Sequence, residues 1–108
     1  MPKDRIREAV NLIKDFFKNR NIKVDKIIIF GSYSKGNYSK DSDIDIAIIS
    51  QDFDGKDIFE KTEMLKGLKW LLVEDIALPF DIIPISLQEW KESSSLIVEF
   101  AKEGKVLL

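Results

Sequence analysis

The chain has 108 residues, is 44% hydrophobic and 33% charged, and carries a formal net charge of −2, which reads as one globular domain spanning residues 1–108. It contains no histidine and no cysteine, which excludes Ser-His-Asp catalysis, disulfides and the usual zinc sites, so any metal must take oxygen ligands, as Mg²⁺, Mn²⁺ or Ca²⁺ do. The acidic balance argues against direct nucleic-acid binding through the phosphate backbone; with no apolar run of membrane-spanning length and no signal peptide at the N-terminus, the expected location is cytoplasmic and off the membrane.

In chain order, Ile6, Val10, Ile13 and Phe17, with Ala9 and Phe16 beside them, recur at helical spacing over residues 4–20 and predict an amphipathic helix. Val24 to Phe30 predicts a strand, apolar on both faces as a central strand is. Gly31-Ser32 stops it, and the polar stretch to Ser42 reads as a loop or one helical turn. Ser42 to Ser50 predicts a second strand, with Ile44, Ile46 and Ile48 on one face and Asp43, Asp45, Ala47 and Ile49 on the other. After a linker at 51–55, residues from Lys56 to about Ala77 predict one long helix whose stripe is Ile58, Leu65, Leu68, Leu72 and Ile76. Phe59 and Trp70 fall off that stripe, where they are either partly covered by a neighbouring helix or exposed for a partner. Pro79 opens a third strand, Phe80 to Ile85, which Pro84 assigns to a sheet edge or a strand end. Ser86 and Glu89 form a capping box for a last helix with Leu87, Trp90, Ile97 and Ala101 on one face, stopped by Gly104. Residues 105–108 either add a short strand or simply pack. The predicted class is α/β or α+β, a sheet flanked by helices.

The second strand carries the chemistry. Asp43 and Asp45 project from one face with Cα atoms roughly 6–7 Å apart. Two charges ~4 Å apart repel by about 4 kcal/mol at an effective dielectric of 20, so the pair needs either a solvated strand end or a cation. Asp81 interrupts the third strand in the same way. If the two strands are neighbours, three carboxylates converge on a site suited to two metal ions ~3.5–4 Å apart. Upstream, Gly31 permits close approach of a ligand to the backbone, Ser32 supplies a hydroxyl, and Lys35 supplies positive charge. A phosphate cradle beside metal-binding carboxylates implies a nucleoside triphosphate bound with Mg²⁺. Taken singly, Gly31-Ser32 is a turn, Asp43-x-Asp45 a capped strand entry and Asp81 a strand-start residue. An EF-hand reading of Asp41-x-Asp43-x-Asp45 fails, because Ile46 and Asp52 stand where that loop requires Gly and Glu.

Taken together, Gly31-Ser32-Tyr33-Ser34-Lys35-Gly36, Ser42-Asp43-Ile44-Asp45 and Asp81 resemble the signature of the DNA polymerase β-type nucleotidyltransferases. The short length and the C-terminal stretch are similar to their minimal nucleotidyltransferase branch. The resemblance implies a nucleotidyltransferase fold, a mixed β-sheet of three to four strands flanked by helices. It implies Asp43, Asp45 and Asp81 as catalytic residues and ligands of Mg²⁺ (two ions, with Mn²⁺ as a substitute), and Gly31, Ser32 and Lys35 as nucleotide-binding. Many relatives carry Arg where this chain has Lys35, which keeps the charge but loses the planar fork. The implied reaction is transfer of AMP from ATP to a hydroxyl. In that branch a common acceptor is a tyrosine of a HEPN-domain toxin, with the nucleotidyltransferase as antitoxin. Two other readings stay open: a non-catalytic module that neutralises a partner by binding, and a small-molecule nucleotidyltransferase of the aminoglycoside type. Self-association into a homo-oligomer is compatible with either.

Overall fold

The computed structural model describes residues 3–31, 44–93 and 95–108, with side chains from Arg5 onward. The elements are α1 (Lys3–Lys18), β1 (Lys26–Phe30), β2 (Ile44–Ser50), a 3₁₀ turn (Gln51–Phe53), α2 (Ile58–Met64), α3 (Leu68–Ile76), β3 (Phe80–Ser86), α4 (Leu87–Glu92), α5 (Leu96–Lys102) and β4 (Lys105–Val106). The strands form one mixed sheet in the order β3-β2-β1-β4. β1 is antiparallel to both β2 and β4, and β2 is parallel to β3. A parallel neighbour requires a crossover, and the α2–α3 segment supplies it.

The sheet is covered on both faces, which is why its strands are isoleucine-rich throughout. On one face Ile27, Ile29, Ile44, Ile46, Ile48 and Phe80 pack against Ile6, Ala9, Ile13 and Phe17 of α1 and Leu68, Leu72 and Ile76 of α3. On the other, Ile28, Phe30, Ala47, Ile49 and Ile85 pack against Val98 and Ala101 of α5. The alternation expected for the second strand holds from Ile44 to Ile49. Each fully buried Ile or Phe stabilises the fold by about 1.5–3 kcal/mol.

Two expectations need correction. The long helix is broken: α2 ends at Met64 with Leu65 as its C-cap, and Gly67, at φ 93°, is the N-cap of α3. That conformation suits glycine because it has no Cβ. The break resets the helical phase, so Ile58 leaves the stripe and is 61% exposed. Phe59 and Trp70 are exposed as well. The last helix is likewise divided, with Ser93 in the left-handed conformation and Ser95 capping α5 through the Val98 N–H. Val98 rather than Ile97 therefore joins Ala101 in the core. The Ser86–Glu89 capping box is present, and Glu89 also pairs with the buried amine of Lys61, tying α2 to the start of α4. Pro84 lies on an edge strand, and the C-terminus does add a strand beside β1.

Candidate active site

Three chain segments meet at one end of the sheet. Phe30, the last residue of β1, is the Cα partner of Asp45, and Asp45 is the Cα partner of Asp81. Gly31 follows directly. The site is therefore built by register: a one-residue slip of β3 against β2 would send one carboxylate to the opposite face. Asp45 shares its face with Ala47 and Ile49, and Asp81 shares its face with Ile83 and Ile85, all on the α4–α5 side. Ile44 and Phe80, on the other face, are buried and anchor both strand starts. The Ile44 N–H donates to the Pro79 carbonyl at 2.8 Å, which continues the ladder one residue beyond Phe80, the first residue of β3.

Neighbouring strands lie about 4.8 Å apart, so the Asp45 and Asp81 backbones are that close. Carboxylates at about 5 Å repel by about 3 kcal/mol at an effective dielectric of 20. Asp45 is half-buried and Asp81 exposed. The Asp81 side chain makes no hydrogen bond or ion pair among the described residues, so its carboxylate oxygens are available to a ligand.

Gly31 is explained by its neighbour. It has φ +75°, and a Cβ there would overlap Oδ2 of Asp45, with Cγ at 3.4 Å and Cβ at 3.8 Å. The glycine thus sets the place of the carboxylate as well as the turn. Of the remaining predicted residues, Ser32, Lys35 and Asp43 lie outside the described residues. Among the described residues no cluster of three or more potential metal ligands occurs; the pair Asp45–Asp81 is what the fold brings together. Hard oxygen donors, two in register and one of them unpaired, fit a divalent cation such as Mg²⁺.

Sequence reasoning missed the surroundings of Asp81. It lines an open groove of about 520 Å³ with Thr62, Leu65, Lys66, Lys69, Ile82 and Pro84 among its walls. The signal was Gly67: a glycine inside a helical pattern marks a place where the backbone departs from it. Among the described residues no helix is long and apolar enough to cross a membrane.

The family model described as nucleotidyltransferase domain matches residues 10–108. A candidate protein adenylyltransferase of Methanocaldococcus jannaschii is 48% identical over 50 residues, 45% of this chain and 47% of that protein. The match thus spans about half of that relative's length. A second candidate protein adenylyltransferase from the same organism is 30% identical over 80 residues, covering 70% of this chain and 74% of that one. Among solved structures, a toxin–antitoxin crystallised with AMP-PNP superposes with a TM-score of 0.62 at 26% identity, covering 91% of this chain and 71% of that chain.

Proposed function

The chain belongs to the nucleotidyltransferase domain family, and from that premise we propose that it transfers AMP from ATP to a hydroxyl, with Mg²⁺, and that the acceptor is a tyrosine of a HEPN-domain toxin for which this chain is the antitoxin. The observation that carries the reading is the in-register pair Asp45–Asp81 beside Gly31. The adenylyltransferase relatives support AMP as the group transferred. The toxin–antitoxin bound to an ATP analogue supports the partner class.

In this reading Asp43, Asp45 and Asp81 hold the metal, and Gly31, Ser32 and Lys35 hold the triphosphate. Bound Mg²⁺ would neutralise the phosphates and lower the pKa of the acceptor hydroxyl. The residues of the chain do the positioning. Gly31 lets the backbone approach the phosphates while fixing the Asp45 carboxylate. Asp81, open to solvent and unpaired, faces the acceptor and takes the proton from its hydroxyl. The oxygen then attacks the α-phosphorus, a new P–O bond forms, the bond to the β-phosphate oxygen breaks, and pyrophosphate leaves. Orientation and charge neutralisation provide most of the rate.

The test is incubation with Mg²⁺, ATP labelled on its α-phosphate and the protein encoded beside this one. Label on that protein, abolished by Asp43→Asn or Asp81→Asn, is the expected result. A tight complex with no label transfer would instead favour neutralisation by binding. Pyrophosphate release that depends on an aminoglycoside would favour a small-molecule acceptor.

A further inference from the structure

β3 is an edge strand: it pairs with β2 on one side only. In a strand, alternate residues turn both N–H and C=O to the same side, so part of the Asp81–Ile83 backbone faces away from β2. No backbone or side-chain group among the described residues hydrogen-bonds to that side. Pro84, which has no N–H, ends the usable stretch. The residues of this edge are Asp81, Ile82, Ile83 and Pro84; the charge at one end and the proline at the other limit indiscriminate pairing to the short Ile82–Ile83 stretch between them.

Beside the edge lies the open groove described above, with an apolar wall from Leu65, Leu68, Ile82 and Ile83. Its charged rim is Lys66 and Lys69, both exposed and neither in an ion pair among the described residues. One of its lining residues is Asp81, the register partner of Asp45. An open strand edge, an apolar wall, unpaired lysines and the proposed proton acceptor thus share one trough. The charged residues lining the trough are two lysines against the single carboxylate of Asp81, so in a chain of net charge −2 its lining carries a local positive excess, which favours an acidic ligand on the Lys66–Lys69 side.

We propose that this trough is the acceptor site, and that it takes an extended, acidic, hydroxyl-bearing segment of the partner protein as an added strand along β3, which brings the hydroxyl to Asp81. This rests on the nucleotidyl-transfer reading and deepens it. Main-chain hydrogen bonds to β3 hold the segment, and its acidic side chains meet Lys66 and Lys69. A strand rises about 3.3 Å per residue, so Asp81 to Pro84 accommodates about four residues of the segment.

The probe is a short synthetic peptide with a tyrosine flanked by glutamates, compared with one in which lysines replace the glutamates. Two readouts are independent: hydrogen-exchange protection of the Asp81–Ile83 amides, and AMP transfer to the peptide. The acidic peptide is expected to protect those amides and to be modified in preference to the basic one. In Lys66→Glu/Lys69→Glu its KM should rise about tenfold, equivalent to about 1.4 kcal/mol, with KM for ATP unchanged. Both side chains are exposed, so the variant should keep its fold, which its melting curve checks. Transfer without protection of β3, no binding of either peptide, or equal use of both overturns the proposal. So does a variant in which KM for ATP rises and that for peptide does not, which assigns the lysines to the nucleotide. Protection that depends on protein concentration without peptide also overturns it, by assigning the edge to a second copy. Protection by the acidic peptide with no AMP transfer leaves the docking site standing and removes the enzymatic reading, so the two failures are distinguishable.

Discussion

Replacing Gly31 by alanine tests the link between turn and carboxylate. Gly31 and Gly55 share φ +75°, but a Cβ on Gly55 meets nothing within 4 Å, whereas one on Gly31 overlaps Oδ2 of Asp45. Gly55→Ala therefore measures backbone strain alone, about 1–2 kcal/mol for a left-handed residue with a Cβ. Gly31→Ala should cost that much plus about 1–3 kcal/mol for forcing a side chain into occupied space. Urea denaturation at neutral pH measures both losses. Adding Asp45→Ala removes the atom in the way, so the Gly31→Ala penalty should shrink in that background by about 0.5–3 kcal/mol, the usual coupling of residues in contact. AMP transfer by Gly31→Ala should fall about a hundredfold, since a displacement near 1 Å has that effect on a positioned group. Equal losses for the Gly31 and Gly55 variants, or an undiminished penalty without the Asp45 side chain, would refute the close approach.

Asp81→Asn should reduce AMP transfer at least about a hundredfold, the scale of losing one group that stabilises the transition state. Its thermal melt should not fall, because the Asp81 side chain is exposed and makes no hydrogen bond or ion pair within the described fold, and without a divalent cation it should rise, because Asn removes the like-charge repulsion with Asp45. Gly104→Ala should destabilise by about 1–3 kcal/mol in the same urea assay, since a Cβ there meets the Ile29 carbonyl oxygen, Phe30 Cβ at 2.7 Å and Ile28 Cγ2 at 2.8 Å. Stability should also depend on pH through Glu89. Burial by itself raises its pKa, but hydrogen bonds from Lys61 and from the Ser86 backbone and hydroxyl outweigh burial and hold it below 4.5. A lowered folded-state pKa gives stability that is complete above the unfolded value and lost as pH falls through the folded one. Wild type should therefore lose more stability than Glu89→Gln on acidification below 4.5, as followed by urea midpoints. Trp70→Ala and Phe59→Ala should each change stability by no more than about 0.5 kcal/mol, because both side chains are exposed.

Much of this fold is written locally. The helical spacing of Ile6, Ile13 and Phe17, the isoleucine runs and the Ser86–Glu89 cap are patterns of a few residues, and each produces the element it suggests. The breaks at Gly67 and Ser93 were less legible. A helical stripe can be carried across a short interruption by eye, and only the exposure of Ile58 and the burial of Val98 reveal the phase change. For the site, Asp45 and Asp81 stood out as charges in apolar strands. Their adjacency did not, because strand pairing over long separations leaves no local mark. The groove beside Asp81 was invisible for the same reason: it exists only once β3 lies beside β2 and the α2–α3 segment is broken. That Gly31 accommodates a carboxylate, as well as turning the chain, follows only from the packed structure.

The crossover through α2 and α3 has a consequence for how the molecule becomes competent. Hairpin-like pairing of β1 with β2 joins segments near in sequence, whereas β2 meets β3 only after the intervening helices have folded back across the sheet. Pairings of long range are closed late because their loop entropy is lost before their contacts form. Asp45 and Asp81 come into register in that step. Any chain in which β3 has not docked on β2 therefore holds two separate acids and no pair, and the like-charge repulsion arises together with the burial of Ile44, Ile46, Phe80 and Ile85 that offsets it.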